Sequence, residues 1–127
     1  TIHALVVHGQ DGLDEITIST KTKVCELKNN KIENYFIEPA DFGITLCSLD
    51  KLKGGTPQDN SMIILDILNG VKGPKRDIVL LNAAAALLTT DIVKDYKDGL
   101  ELAAYSIDSG KGIEKLRALI DFSNKNA

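Results

Sequence analysis

The sequence predicts an α/β fold, a mixed sheet with helices packed around it, and three stretches carry that prediction. Leu5-Val6-Val7 is an unbroken apolar run that ends in a polar loop with two glycines, which suits a short strand buried on both faces of a parallel sheet. Residues 16–37 are rich in β-formers and contain a hairpin signal. From Thr56 onward, apolar residues recur at helical spacing in successive blocks.

The first strand runs into His8-Gly9-Gln10-Asp11-Gly12-Leu13-Asp14-Glu15. Gly9 and Gly12 open backbone angles closed to other residues, so this loop can turn tightly and approach a ligand. In open α/β sheets ligands sit beyond the carboxyl ends of the strands, where this loop falls. Ile16-Thr17-Ile18 then alternates as a strand would, followed by Val24–Leu27 and Ile32–Ile37. Lys28-Asn29-Asn30-Lys31 between the last two predicts a hairpin, because Asn tolerates positive φ. Pro39 and Gly43 end this meander. It reads as an antiparallel addition or edge to the main sheet, with a scaffold role.

Leu49 to Lys53 predicts one short helical turn, closed by Gly54-Gly55. Thr56-Pro57-Gln58-Asp59 opens a helix: Thr56 can cap, Pro57 suits the first position and Asp59 the positive end of the dipole. Its core face is Ile63, Ile64, Ile67 and Leu68, and Asn69-Gly70 ends it. Gly73-Pro74 precedes a second helix over 75–89 that is apolar nearly all round, hence buried on most sides. Asn82, embedded in that run, must find hydrogen-bond partners, and tying neighbouring backbone is its expected role. A third helix is expected over 91–108, with Gly99 interrupting it. Gly110 then breaks the chain before a final amphipathic helix marked by Ile113, Leu116, Leu119 and Ile120, and a polar tail over 123–127 should fray.

A chain of 127 residues, 43% hydrophobic and 26% charged, suits one globular domain with a real core. A net charge of −3 argues against a general nucleic-acid or anionic-membrane binder. Cys25 and Cys47 lack C-x-x-C spacing and are expected to stay reduced. The longest nearly apolar run, Ile78 to Leu88, falls far short of the about 20 residues a membrane span needs. No charged-then-apolar signal opens the sequence. A soluble, cytoplasmic protein is expected.

Asp14 and Glu15 are the candidate metal ligands. As adjacent carboxylates they would diverge on a strand, so joint binding requires a turn or irregular backbone. Mg²⁺ suits such hard oxygens and shares its shell with water and substrate phosphates; a solvated turn is the other reading of two acids after glycine. His8 and Gly9 are weaker candidates for lining a substrate, and no residue is assigned a catalytic role. The loop has neither the Walker pattern nor the dinucleotide glycine pattern. Lys72, Lys75 and Arg76 surround a helix start that could favour an anion, although a solvated basic turn is the preferred reading. No nucleophile–histidine arrangement and no zinc-ligand cluster can be argued from spacing.

Two stretches, His8-Gly9-x-x-Gly12-Leu13-Asp14-Glu15 and Gly70–Leu87, closely resemble the carboxyl-terminal part of anthranilate phosphoribosyltransferases. Pro39-Ala40-Asp41-Phe42-Gly43 and Leu52-Lys53-Gly54-Gly55 with Asn60 resemble that family too, in the right order over essentially the whole chain. The resemblance implies a partial phosphoribosyltransferase-like α/β domain, related to that of nucleoside phosphorylases. It also implies transfer of phosphoribosyl from phosphoribosyl pyrophosphate to the amino group of anthranilate, in tryptophan biosynthesis. It implies that Asp14 and Glu15 hold Mg²⁺ against the diphosphate, and that the full protein is a homodimer.

The family's Gly-Thr-Gly-Gly-Asp type phosphate loop has no match here. Residues 1–127 are therefore expected to be a single, incomplete α/β domain: the carboxyl-terminal fragment of a longer enzyme, inactive by itself. The Gly-Leu-Asp-Glu and Gly-Pro-x-Arg-Asp segments argue against the phosphorylase branch. The competing reading from another class is a non-catalytic paralogue serving as a nucleic-acid-binding or scaffold module, which the acidic balance opposes.

Overall fold

A computed structural model describes residues 3–125. Three strands, β1 (His3–Gly9), β2 (Thr22–Lys28) and β3 (Lys31–Ile37), form an antiparallel sheet in the order β1-β2-β3. Two short 3-10 turns follow at Pro39–Phe42 and Leu49–Lys51. Four helices then complete the fold: α1 (Pro57–Leu68), α2 (Pro74–Leu88), α3 (Tyr96–Asp108) and α4 (Lys111–Lys125). The expected α/β architecture is present, and none of the described helices is long and apolar enough to cross a membrane.

The hairpin forms where the sequence placed it. Lys28 pairs with Lys31 across Asn29 and Asn30, whose φ angles of 51° and 61° meet the positive-φ demand of a tight two-residue connection. This meander is the sheet itself among the described residues, and β1 pairs antiparallel with β2 rather than with a parallel neighbour. The physical reason lies in the connection: residues 10–21 hold no helix, and a parallel crossover needs one or a comparably long excursion. β1 also alternates, with Leu5 and Val7 packed on the core and Val6 69% exposed.

Ile16-Thr17-Ile18 is not a strand. All three residues are buried, but their backbone groups bond to side chains and a loop instead of a ladder. Thr17 N–H donates to Thr22 Oγ1 at 3.0 Å, and Cys47 N–H donates to Ile18 O at 3.1 Å. The core gathers around this segment, with Ile16, Ile18, Val24, Ile37, Leu81 and Ala85 buried together. Cys25 and Cys47 are both free thiols.

Helix α1 starts as read. Thr56 Oγ1 accepts from Asp59 N–H at 3.2 Å while Asp59 Oδ2 accepts from Thr56 N–H at 2.9 Å, so Asp59 closes a capping box as well as favouring the dipole. Its inner face is narrower than expected: Ile67 is buried, Ile64 is 50% exposed. Helix α2 buries Leu81, Ala84, Ala85 and Leu88 but leaves Val79 and Ala86 exposed, so it is covered on one broad side rather than all round.

Helix α3 begins at Tyr96, later than expected. Asp91 sits at φ 57° in a turn, and Asp95 is the cap, its Oδ1 accepting from Asp98 N–H at 2.9 Å. Gly99 does not interrupt the helix. A Cβ there would lie 2.9 Å from both the Cβ and the carbonyl oxygen of Ala84, so glycine permits the close crossing of α2 and α3. Helix α4 continues through Lys125 with no buried residue, so 123–125 is helical; Asn126 and Ala127 lie outside the described residues.

The basic cluster at the start of α2 is not a solvated turn. Arg76 is 3% exposed, and its Nη2 reaches both carboxylate oxygens of Asp108 on α3 at 2.9 Å. Lys72 Nζ stands 3.5 Å from the same carboxylate, and Lys75 Nζ donates to the Lys53 carbonyl. Charge here fastens α2 to α3.

Candidate metal site

The loop after β1 is built on Asp11. Its Oδ1 accepts from Leu13 N–H at 3.2 Å, and its Oδ2 accepts from Thr17 Oγ1 at 2.5 Å and from Ser19 Oγ. Gly9 N–H donates to Leu13 O and Gly12 N–H to Gly9 O, both at 2.9 Å. The folded loop lies so close on Gly9 that a Cβ there would stand 2.5 Å from Asp11 Oδ1 and 3.1 Å from Thr17 Cγ2. Gly9 is therefore required for packing. Gly12 has φ 95°, which suits glycine alone.

Burial pushes the Asp11 carboxyl up, but donation from Ser19, Thr17 and the Leu13 amide outweighs it and holds Asp11 below its ordinary value. Asp11 is thus an ionised internal brace. Sequence reasoning did not single it out, nor Thr17 and Ser19. The available signal was an Asp two residues ahead of the amide that it caps, the pattern of an Asx-turn.

Asp14 and Glu15 follow in a bend, the irregular backbone that joint use of adjacent carboxylates requires. Both are exposed, and neither takes a hydrogen bond or an ion pair among the described residues. Desolvation pushes the Glu15 carboxyl above its ordinary value, and the neighbouring Asp14 charge adds to the effect. A cation would relieve that repulsion. The described residues hold no cluster of three or more His, Cys, Asp or Glu side chains suited to a metal ion. Two adjacent carboxylates by themselves are a donor set that would suit only a hard ion completing its shell with water and phosphate oxygens.

The two weaker candidates divide. Gly9 is buried inside the loop, whereas His8 is exposed on the same outer face of β1 as Val6, and its side chain makes no hydrogen bond among the described residues. On the other side of the acid pair, the Asn82 amide reaches from α2. Its Oδ1 accepts from Ile16 N–H at 2.9 Å, and its Nδ2 donates to Ile16 O at 2.8 Å and to Ile78 O at 3.0 Å. The expectation that Asn82 ties neighbouring backbone holds.

The profile of the glycosyl transferase family, α/β domain, matches residues 1–113. Over 121 residues the chain is 49% identical to the anthranilate phosphoribosyltransferase of Acetivibrio thermocellus, an alignment that covers 95% of this chain and 35% of that protein. It is 50% identical over 121 residues to the protein of the same name from Methanobrevibacter smithii, covering 95% and 36%. Among solved structures, the anthranilate phosphoribosyltransferase of Thermus thermophilus superposes with a TM-score of 0.84 at 31% identity, over 94% of this chain and 35% of that one. The Saccharomyces cerevisiae enzyme in complex with PRPP and Mg superposes with a TM-score of 0.82 at 28% identity, over 92% and 34%. The chain spans about a third of the length of these relatives. The resemblance read from the motifs is thereby confirmed, and the chain belongs to the glycosyl transferase family through its α/β domain.

Proposed function

We propose that residues 1–127 form the magnesium-binding part of an anthranilate phosphoribosyltransferase, a single α/β unit at the carboxyl-terminal side of a larger enzyme. The reaction is displacement at the anomeric carbon of phosphoribosyl pyrophosphate by the amino group of anthranilate, releasing pyrophosphate. One observation carries this reading: Asp14 and Glu15 are exposed, without a hydrogen-bond or ion-pair partner among the described residues and mutually repelling, on a bend between two anchored residues.

Their part is to bind. Asp14 and Glu15 supply hard anionic oxygens at the end of β1, and neither is assigned a proton transfer. Magnesium, when bound, offsets the charge that develops on the departing diphosphate. Gly9 lets the loop fold closely against Asp11 and Thr17, and His8 is exposed near the end of β1. The phosphate loop and the anthranilate contacts are assigned to polypeptide outside residues 1–127, so the 127 residues alone turn over no substrate. Support comes from the names of the relatives and from the bound PRPP and Mg of the yeast enzyme.

The test is an anthranilate-consumption assay with phosphoribosyl pyrophosphate and Mg²⁺. The natural full-length polypeptide containing these residues is expected to consume anthranilate, and residues 1–127 alone are not. A full-length protein without transfer activity, or turnover by residues 1–127, would contradict this account.

A further inference from the structure

Among the described residues, Asp14 and Glu15 have no hydrogen bond or ion pair of their own to hold them in place. Two neighbours define them. Upstream, Leu13 is pinned through both backbone groups: its N–H donates to Asp11 and its carbonyl accepts from Gly9. Downstream, Ile16 is 1% exposed, and both its backbone groups are taken by Asn82. A single amide side chain thus does for Ile16 what a ladder partner does for a strand residue. The Nδ2 bond back to Ile78 O, one turn earlier on α2, orients that amide before it meets Ile16.

We infer that Asn82 is a positioning residue for the metal-binding pair: by gripping Ile16 from α2 it closes a two-residue span whose ends are both fixed. This rests on the proposed metal-binding reading of Asp14 and Glu15. Without Asn82, the Ile16 N–H and C=O would be left buried and unpaired, and the segment would have to shift to reach other partners. Glu15 is joined directly to Ile16, so any such shift is passed to its carboxylate. A core amide needed only for stability would be indifferent to which peptide it held; this one holds the peptide adjoining the candidate ligands.

The experiment is Mn²⁺ binding, followed by electron paramagnetic resonance, in the natural full-length polypeptide. Wild type is compared with Asp14→Asn/Glu15→Gln, Asn82→Leu and Asn82→Asp, with a thermal melt for each. Asn82→Leu removes all three bonds, whereas Asn82→Asp keeps the acceptor for Ile16 N–H and loses both donations.

The expected result is binding abolished in the acid-pair variant and weakened by about ten- to a hundredfold in Asn82→Leu, as for the loss of an outer partner of a metal ligand. Asn82→Asp should fall between wild type and Asn82→Leu, and it decides the matter if Asn82→Leu does not fold. Wild-type affinity in a folded Asn82 variant, whatever its melting temperature, would overturn the positioning role while leaving the metal reading intact. Mn²⁺ binding that ignores Asp14 and Glu15 would overturn both.

Discussion

Thr17 Oγ1 donates to Asp11 Oδ2 at 2.5 Å, joining the loop after β1 to the buried segment that follows the acid pair. Ser19 Oγ donates to the same oxygen. Asp11→Ala should remove a carboxylate accepting three bonds and cost about 2 kcal/mol, since a bond to a charged group is worth about 1.5–3 kcal/mol and the buried Thr17 hydroxyl keeps Ser19 Oγ as an acceptor at 3.4 Å. Equilibrium urea unfolding checks it.

The same carboxylate predicts a pH dependence. Burial raises Asp11, but its donors lower it further, so the folded value lies below the unfolded one. The folded state then binds this proton more weakly than the unfolded state. Its stabilisation is present above the unfolded value and is lost as pH falls through the depressed folded value. Stability of Asp11→Asn should fall less than that of wild type on acidification across that window, by urea melts at stepped pH.

Gly99 is required by the approach of α3 to Ala84 of α2. Gly99→Ala would gain about 1 kcal/mol in helix propensity, but overpacking costs about 1–3 kcal/mol, so a net loss is expected. Ala84→Gly should rescue it only in part, because the Ala84 carbonyl oxygen also lies 2.9 Å from the new Cβ. Thermal melts of the single and double variants measure this.

Asp108→Asn should cost about 2 kcal/mol, as it leaves the buried Arg76 guanidinium without its counter-charge. Removing one member of a fully buried pair costs about 3–5 kcal/mol; Asp108 is 47% exposed, so water moderates the loss. Lys72→Ala, at an exposed ammonium 3.5 Å from Asp108, should be nearly neutral. Denaturant midpoints of the two variants would separate these roles.

Local chemistry was the most legible part of the sequence. Asn29-Asn30, Thr56-Pro57 and Asn69-Gly70 each act on bonds within a few residues, and each performs as read. Errors fell where distant partners decide. Ile16-Thr17-Ile18 has strand-like residues, yet its backbone is claimed by Asn82, Thr22 and Cys47 from elsewhere in the chain. Gly99 looked like a break because helix propensity says nothing about Ala84 on the facing helix. The resemblance singled out Asp14 and Glu15 as candidates, but the anchoring of Leu13 by Asp11 and of Ile16 by Asn82 on either side of them needed the fold.

The most direct measurement is the rate of phosphoribosyl transfer against Mg²⁺ concentration, for the natural full-length polypeptide and its Asp14→Asn/Glu15→Gln variant. Electrostatic support of a leaving diphosphate is worth several kcal/mol, so kcat/KM should fall by about a hundredfold or more, with more Mg²⁺ needed for half-maximal rate. A variant with wild-type rate and unchanged Mg²⁺ dependence would contradict the assignment of the metal to Asp14 and Glu15.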